Sequence, residues 1–423
     1  MNLAPRTPVN KIVETRYYRQ RVAPPDTMGN HRDMNSKRLG ITWQLSDSHG
    51  WGVFGLNLAI NLITRGGPTP LLFGTPILLD TPVETQAILQ PFLDEQQQIQ
   101  TQILDKAGTN IVNVDGVMVL HALANKFTHQ DNVRGDTNIG FIFFEKGGID
   151  SEALERTKAY DRILAGSSWN RDYARDHGVD NIEFVSQGID TGLFKPGAQS
   201  GAYKDRFTIF SGGKLEIRKG QDLVLAAFKI FHARHPEALL ITSWRNAWPE
   251  SAAGMTASVH VQSDPQVGDD NEILVKQWAV DNGVPEDSFI DLGWVPNRQT
   301  AAILRDMDVA LFTNRCEGGT NLVAMEAMAC GVPCIISANT GHLDIISDDN
   351  CYALRDQRPI SSPGGLTEMW RESQVEEIVA NLETVYMNRA EARRRAEEGA
   401  QFMLNLSWAN QTERLLTSIN DLI

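Results

Sequence analysis

The sequence predicts an α/β protein made of two alternating strand–helix halves. Three observations carry that prediction. Short apolar runs recur along the 423 residues, separated by stretches of helical period. A Pro/Gly/Ser-rich break, Lys195-Pro196-Gly197-Ala198-Gln199-Ser200-Gly201, divides them into two sets of similar size. The length exceeds what one ordinary core accommodates, so two or three domains are expected.

Residues 1–38 carry Pro5, Pro8, Pro24 and Pro25 and show no sustained period. They read as an extension with a short helix near Ile12 to Arg19, rich in Arg (Arg6, Arg16, Arg19, Arg21, Arg32, Arg38). Order resumes with a strand at Gly40 to Leu45. A glycine turn follows at Gly50, Trp51, Gly52 and Gly55, then an amphipathic helix from Leu56 to Arg65 that buries Leu56, Ala59, Ile60 and Ile63. Gly66-Gly67-Pro68 stops it and Pro70 to Phe73 begins the next strand, completing a βαβ unit. The glycines match a G-x-G-x-x-G count, but Leu71-Leu72-Phe73-Gly74 offers no acidic ribose ligand, so a nicotinamide cofactor is not supported. Val83 to Ala107 reads as a Gln-rich helix. Strands at Gly116 to His121 and Asn138 to Glu145 each end on an ionisable residue, where open α/β sheets place ligands. A strand and turn (Asp161 to Trp169), a helix (Asn170 to Gly178) and a further strand and turn (Asn181 to Asp190) close the first half.

The second half repeats the alternation. Phe207 to Gly213 is a strand running into Lys214 to Gly220 and a helix, Gln221 to Arg234. A strand at Ala238 to Thr242, a polar insertion at Ser251 to Asn271, a helix at Glu272 to Asn282 and a strand at Phe289 to Leu292 follow. Next come a helix at Arg298 to Met307, a strand at Val309 to Thr313, charged helices over Val375 to Arg395 and an amphipathic helix at Trp408 to Leu422. Between them lies the stretch Glu317 to Pro333. Its polar glycine turn leaves backbone N–H groups free and leads into an Ala/Met-rich helix that stops at Gly331, before a buried strand from Val332 to Ile336. Two carboxylates beside a helix N-terminus suit a ligand that is part sugar and part phosphate; a close-packed loop–helix unit is the plainer alternative.

Composition narrows the function. The formal net charge of −14 argues against broad polyanion binding and hence nucleic acid, with the Arg-rich arm as the one exception. No apolar run reaches the ~18–20 residues of a membrane span, and Met1 to Arg6 lacks a secretory h-region, so a cytoplasmic protein is expected. The four cysteines (Cys316, Cys330, Cys334, Cys351) form no zinc pattern and read as reduced, partly buried thiols.

An ordered set of motifs then emerges: Asp161-Arg-Ile-Leu-Ala-Gly-Ser-Ser-Trp169, Gly188-Ile-Asp-Thr-Gly-Leu-Phe-Lys-Pro196, Ser211-Gly-Gly-Lys-Leu-Glu-Ile-Arg-Lys-Gly220, Gly293-Trp-Val-Pro296 and Glu317 to Pro333. In this set the chain, from about Ile41 onward, resembles the retaining glycosyltransferases of family 4. The resemblance implies the GT-B fold, two Rossmann-like α/β/α domains facing a central cleft. It implies an acceptor domain over 39–196, a donor domain over 202–407 and a last helix, 408–423, packed back on the first. It further implies a nucleotide-sugar donor, an acceptor hydroxyl on a saccharide, lipid-linked glycan or small molecule, and no metal or other cofactor. Relatives often act at membranes, so peripheral association stays open, as do the donor base and the oligomeric state.

Residue by residue, the resemblance makes Lys219 a diphosphate clamp, with Lys214 after Gly213 standing where relatives carry Arg, and Arg218 as its substitute. A Lys there replaces a bidentate fork by a point charge. Glu326 resembles the ribose ligand and Glu317 the carboxylate beside the donor sugar, although the two are nine positions apart where the common spacing is eight. The turn Gly318, Gly319, Thr320, Asn321 and Leu322 offers N–H groups to sugar or phosphate. The base is met by backbone near Trp294 and Val295. Glu145 stands where many relatives have His, poised to take the acceptor's proton or a sugar hydroxyl; a capping or ion-paired Glu is the alternative. His121 is the other candidate, against a structural histidine. Gly50, Trp51 and Gly52 resemble the glycine loop that closes over the donor, with Trp51 stacking on a sugar or packing. Thr340 to Asp344 replaces the family's Gly-Gly-x-x-Glu, or caps the next helix. Rival functions are a GT-B phosphorylase or nucleotide-sugar epimerase, and a catalytically silent nucleotide-sugar-binding subunit.

Overall fold

The computed structural model describes residues 38–246, 248–360 and 366–422. The Arg-rich extension and its expected helix lie outside them. Strands β1 (Arg38–Ile41), β2 (Pro70–Leu72), β3 (Val112–Leu123), β4 (Val133–Ile142), β5 (Arg162–Ala165) and β6 (Ile182–Phe184) form one parallel sheet in the order β2-β1-β3-β4-β5-β6. Helices α1 (Gly50–Arg65), α2 (Val83–Ile99), a π turn at Gln100–Leu104 continuing into α3 (Asp105–Ala107), α4 (Ser151–Thr157) and α5 (Ser168–Asp176) accompany it. Gly50, Trp51 and Gly52 are the first turn of α1 rather than a loop ahead of it. His49 Nδ1 accepts the Gly52 N–H at 3.1 Å, so a side chain satisfies one of the free donors of a helix start. Between β3 and β4 the chain returns over residues 124–132 with only a single 3₁₀ turn, Asn125–Phe127, in the crossover.

The second sheet holds β7 (Phe207–Gly212), β8 (Ala238–Ser243), β9 (Phe289–Asp291), β10 (Val309–Phe312), β11 (Cys334–Ser337) and β12 (Tyr352–Leu354), all parallel, in the order β12-β11-β10-β7-β8-β9. Helices α6 (Gln221–His232), α7 (Val275–Asp281), α8 (Asn297–Arg305), α9 (Leu322–Ala329), α10 (Val375–Met387) and α11 (Arg389–Leu404) alternate with or follow the strands. Separate apolar clusters line the sheet's two faces, one around Leu240, Phe228 and Ile335, the other around Ile241, Phe312 and Met328. The strands are apolar on both sides because both faces are covered. The order runs outward one way from β7 and the other way from β10. These neighbours therefore open a crevice beyond their C-terminal ends, the place where open α/β sheets bind ligands.

One feature escaped the sequence reading. A two-stranded hairpin, β13 (Gln357–Pro359) and β14 (Arg371–Ser373), projects from the second domain. The final helix α12 (Trp408–Ile419) joins the core of the first sheet, as the resemblance implied: Trp408 stacks on Phe54 of α1 with centroids 5.9 Å apart, and Leu415 and Ile419 are buried beside them. All four cysteines are free and buried.

Candidate active site

Two loops leave the crevice at β7 and β10. The first runs from Gly213 to Gly220 and turns through a short 3₁₀ segment, Ile217–Lys219. The second runs from Thr313 to Asn321, whose side chain accepts the Ala324 N–H at 3.4 Å and so caps α9. This second loop is pinned at Glu317, whose N–H donates to Thr340 Oγ1 at 2.8 Å and whose carbonyl accepts the Gly341 N–H at 3.0 Å.

The charges of both loops converge. Lys219 Nζ lies 2.6 Å from Glu317 Oε1. Arg218 reaches Glu317 Oε2 at 3.2 Å and Glu145 Oε1, from the first domain, at 3.0 Å, and also pairs with Glu216. Lys214 stands further out, 3.0 Å from Glu216 and 5.7 Å above the Trp248 ring. The expected order of the cations is thus corrected: the inner partner of Lys219 is Arg218, 7% exposed, while Lys214 is an outer charge. Backbone geometry decides this. The 3₁₀ turn places consecutive residues 218 and 219 beside Glu317, whereas Gly213, at φ 112°, directs the chain outward at Lys214.

Electrostatics follow from burial and pairing. Burial pushes the Glu317 carboxyl up, but Lys219 and Arg218 outweigh it and hold the group down at about 2. Burial likewise raises Glu145, with Arg218 opposing only in part. Glu326 lies one turn into α9, 8% exposed, and accepts the Asn297 side-chain amide at 3.2 Å. With so little compensation, burial pushes its carboxyl up to about 8. It faces a cavity of about 170 Å³ between the domains, whose other walls include Asn57, Asp80 and Trp408 from the first-domain side and Arg298 and Leu322 from the second.

The domains meet tightly at the glycine turn. A Cβ on Gly318 would lie 2.6 Å from the Phe143 backbone, so only glycine permits this approach. Ser167 Oγ donates to Gly318 O at 2.8 Å. Asp344, expected to cap the following helix, instead accepts the backbone N–H of Ser168 at 2.8 Å and also its hydroxyl, gripping α5 of the other domain. His342 is enclosed: it donates from Nδ1 to Ser337 O at 2.9 Å and accepts the Asn321 amide at Nε2 at 3.0 Å. Burial pulls it down to about 4 despite Glu317, so it stays neutral and fixes the capping Asn321.

Other candidates separate from this cluster. His121 is fully buried between Asp131, 3.0 Å from both carboxylate oxygens, and the Asn138 amide oxygen at 3.0 Å, which makes it a structural residue of the first domain. Trp51 packs edge-on against Phe143 at 4.7 Å within an aromatic group that includes Trp43 and Phe54. Thr320 is buried, with its hydroxyl directed at Met325 Sδ, 3.0 Å away, and Gly319 and Leu322 sit with it in the α9 approach. Trp294 is 37% exposed at the end of β9, with Val295 partly buried beside it.

Residues 296–415, from the start of α8 into α12, match the model of a family described as a family 4 glycosyltransferase in conflict systems. In this stretch the chain is similar to the family 4 glycosyltransferases. Among curated proteins, the D-inositol 3-phosphate glycosyltransferase of Segniliparus rotundus is 26% identical over 253 residues, 58% of this chain and 48% of the relative. A second such enzyme, from Catenulispora acidiphila, is 26% identical over 43% of this chain and 42% of its own length. The chain spans about half the length of the curated relatives it matches. Solved structures agree on the fold along almost the whole chain, and that fold is GT-B. Sucrose-phosphate synthase from Thermosynechococcus elongatus superposes with a TM-score of 0.59 at 17% identity, over 91% of this chain and 99% of that one. HepE from Anabaena in complex with UDP and glucose gives 0.59 at 11% identity, over 91% and 100%.

Sequence reasoning overlooked two residues near this site. Arg315, 1% exposed, binds Asp222 at 2.6 and 2.7 Å and Glu372 at 2.6 Å, and donates to Ile217 O at 2.5 Å. It thereby ties the Arg218 turn to the start of α6 and to β14. Asn297, the partner of Glu326, was also missed, although it directly follows the Gly293-Trp-Val-Pro296 motif.

Proposed function

We propose that the protein is a retaining glycosyltransferase that moves a sugar from a nucleoside-diphosphate sugar to an acceptor hydroxyl without a metal ion. The observation that carries this reading is the polarity of α9. Ahead of its N-terminus two cations converge on one buried carboxylate; one turn into the helix Glu326, bonded to the Asn297 amide, faces the interdomain cavity. A nucleoside diphosphate matches both features, with phosphates toward Arg218 and Lys219 and a ribose diol against Glu326, whose two oxygens accept vicinal hydroxyls once ionised. The named complexes of the structural neighbours, with UDP and with UDP-glucose, support a donor of this class.

In the proposed reaction the bond from the anomeric carbon to the diphosphate oxygen breaks, and the diphosphate departs with the electron pair. Lys219, Arg218 and the N–H groups of Gly318 to Asn321 offset its growing charge, an electrostatic contribution that is commonly the largest in catalysis. The acceptor oxygen attacks from the face the diphosphate leaves, and Glu145 takes its proton; the raised affinity of Glu145 for protons suits it to that role. Glu317 draws the two cations together and neutralises them until phosphate takes its place as their partner, and then serves the donor sugar. Trp294 and Val295 border the base. Purified protein incubated with a panel of nucleotide sugars should release a nucleoside diphosphate from at least one. Binding of nucleotide without release from any donor sinks the transferase reading. That outcome would favour a silent nucleotide-sugar-binding subunit, which one observation also supports: each cation of the first loop already has a carboxylate partner.

A further inference from the structure

Glu145 is held by its backbone from both domains. Its N–H and that of Lys146 donate to Asn125 Oδ1 at 3.1 and 3.2 Å, within the first domain. Its carbonyl accepts the Trp370 indole N–H at 2.7 Å from the second domain. Trp370 directly precedes β14, is 8% exposed and belongs to the apolar cluster of the first domain together with Phe144 and Tyr160. The contact does not stand alone. Gly147 N–H donates to Leu366 O at 3.0 Å, and Tyr173 OH donates to Glu368 Oε1 at 2.5 Å. A Cβ on Gly147 would lie 2.5 Å from that same Glu368 oxygen.

The other end of this segment reaches the phosphate loop. Arg371 N–H donates to Arg315 O at 2.9 Å, and Glu372 binds the Arg315 guanidinium. Arg315 in turn donates its N–H to Arg218 O at 2.7 Å. A path of hydrogen bonds, joined by the covalent backbone of residues 370–372, therefore runs from Glu145 through Trp370 to Arg315 and ends on the backbone of Arg218. These two ends carry the carboxylate and guanidinium that meet at 3.0 Å across the cleft.

We propose that Trp370 is a positioning residue: its indole N–H sets the acceptor-side carboxylate of Glu145 in register with Arg218 when the domains are together. This rests on the role given to Glu145 above. Among the described residues the hydrogen bonds of Trp370 go to Glu145, Ile360, Thr367 and Arg371 and to none of the proposed donor ligands, so its loss should act on the chemical step rather than on donor binding. Backbone placement matters because a displacement of about 1 Å at a reacting group costs on the order of 10²-fold in rate.

The test compares Trp370→Phe, which keeps an aromatic ring and removes the donor, with Gly147→Ala, which displaces the Glu368 contact and leaves the indole intact. Amide hydrogen exchange is followed across residues 143–148, alongside kcat and donor KM with an active nucleotide sugar and the melting shift produced by its nucleoside diphosphate. The expected result in Trp370→Phe is faster exchange at Glu145 to Gly147 and a kcat lower by roughly 10- to 100-fold, while Gly147→Ala, where the Glu368 side chain can swing aside and the indole bond remains, should stay close to the parent in kcat. Donor KM and the nucleotide-induced shift should stay within about twofold of the parent values. Unchanged exchange at residues 143–148 in Trp370→Phe overturns the proposal, and so does a donor KM that rises in step with the loss of kcat. If the parent protein turns over no donor, the transferase reading fails, and the exchange measurement still decides whether Trp370 holds Glu145. If Trp370→Phe does not fold, Trp370→Tyr, a larger ring that also lacks the indole N–H, supplies the same comparison.

Discussion

Glu326 combines burial, one protein partner and a raised proton affinity, and each has a measurable consequence. Its carboxyl titrates at about 8 in place of 4.5, so the folded protein favours the protonated acid. The contribution of Glu326 to stability is then full below pH about 4.5, falls as pH rises through the window between the two values, and levels off above about 8. Glu326→Gln should therefore melt with the parent near pH 4 and above it near pH 9, each kcal/mol appearing as about 2–4 °C. Equal melting at both ends of the range would sink the assignment of burial as the cause. Glu317 has the opposite sign. Held at about 2, its pairing contributes stability that is present above 4.5 and is lost as pH falls toward 2. Lys219→Ala should lower turnover by roughly 10²-fold or more through lost leaving-group stabilisation, measured on protein shown by circular dichroism to be folded. An unchanged kcat contradicts the phosphate-clamp role. Lys219, Glu317 and Glu326 stood out in the sequence because motif residues sit at fixed offsets from glycines. Arg218's inner position did not, since only the 3₁₀ turn decides which of neighbouring cations points inward.

The Arg315 network belongs to the scale of elements, because it joins the phosphate turn, α6 and β14 through one guanidinium. Arg315→Met leaves the fully buried Asp222 without its cation, and breaking such a pair from one side costs about 3–5 kcal/mol. Denaturant unfolding should show a matching drop; a loss within error would mean that water or Ser258, which already donates to Asp222, compensates. Nothing in the sequence marked Arg315, since a lone Arg after an apolar strand reads as a surface charge until its partners, remote in sequence, are known. The same limit hid the β13–β14 hairpin. Gln357-Arg358-Pro359 and Arg371-Glu372-Ser373 are short, polar and without alternation, and they are held by pairing and by Trp370 rather than by an apolar face. Strands buried on both sides, such as β7 and β10, were legible because continuous apolar runs between helical stretches have few other readings. The helix α1 was found, but its start was not, because His49 was not recognised as its cap.

At the scale of the whole molecule, the two sheets present their loops to each other, and a ligand bridging the crevice links them. A nucleoside diphosphate that binds only the folded form should raise the melting temperature, by the equivalent of about 2.7 kcal/mol at one hundred times its Kd. A screen of UDP, GDP, ADP and TDP should single out one base, and the shift should shrink in Lys219→Ala and in Glu326→Ala. No shift with any of the four contradicts a nucleotide site. The position of α12 has a separate consequence, for biogenesis. The first domain is synthesised as far as β6 by Phe184, yet Trp408, Leu415 and Ile419 of its core follow more than two hundred residues later. At translation rates of about 5–20 residues per second, that interval is on the order of 10 s or more. The half that leaves the ribosome first is thus the half completed last, with the α1 surface around Phe54 uncovered in the meantime, open to chaperones or to premature association.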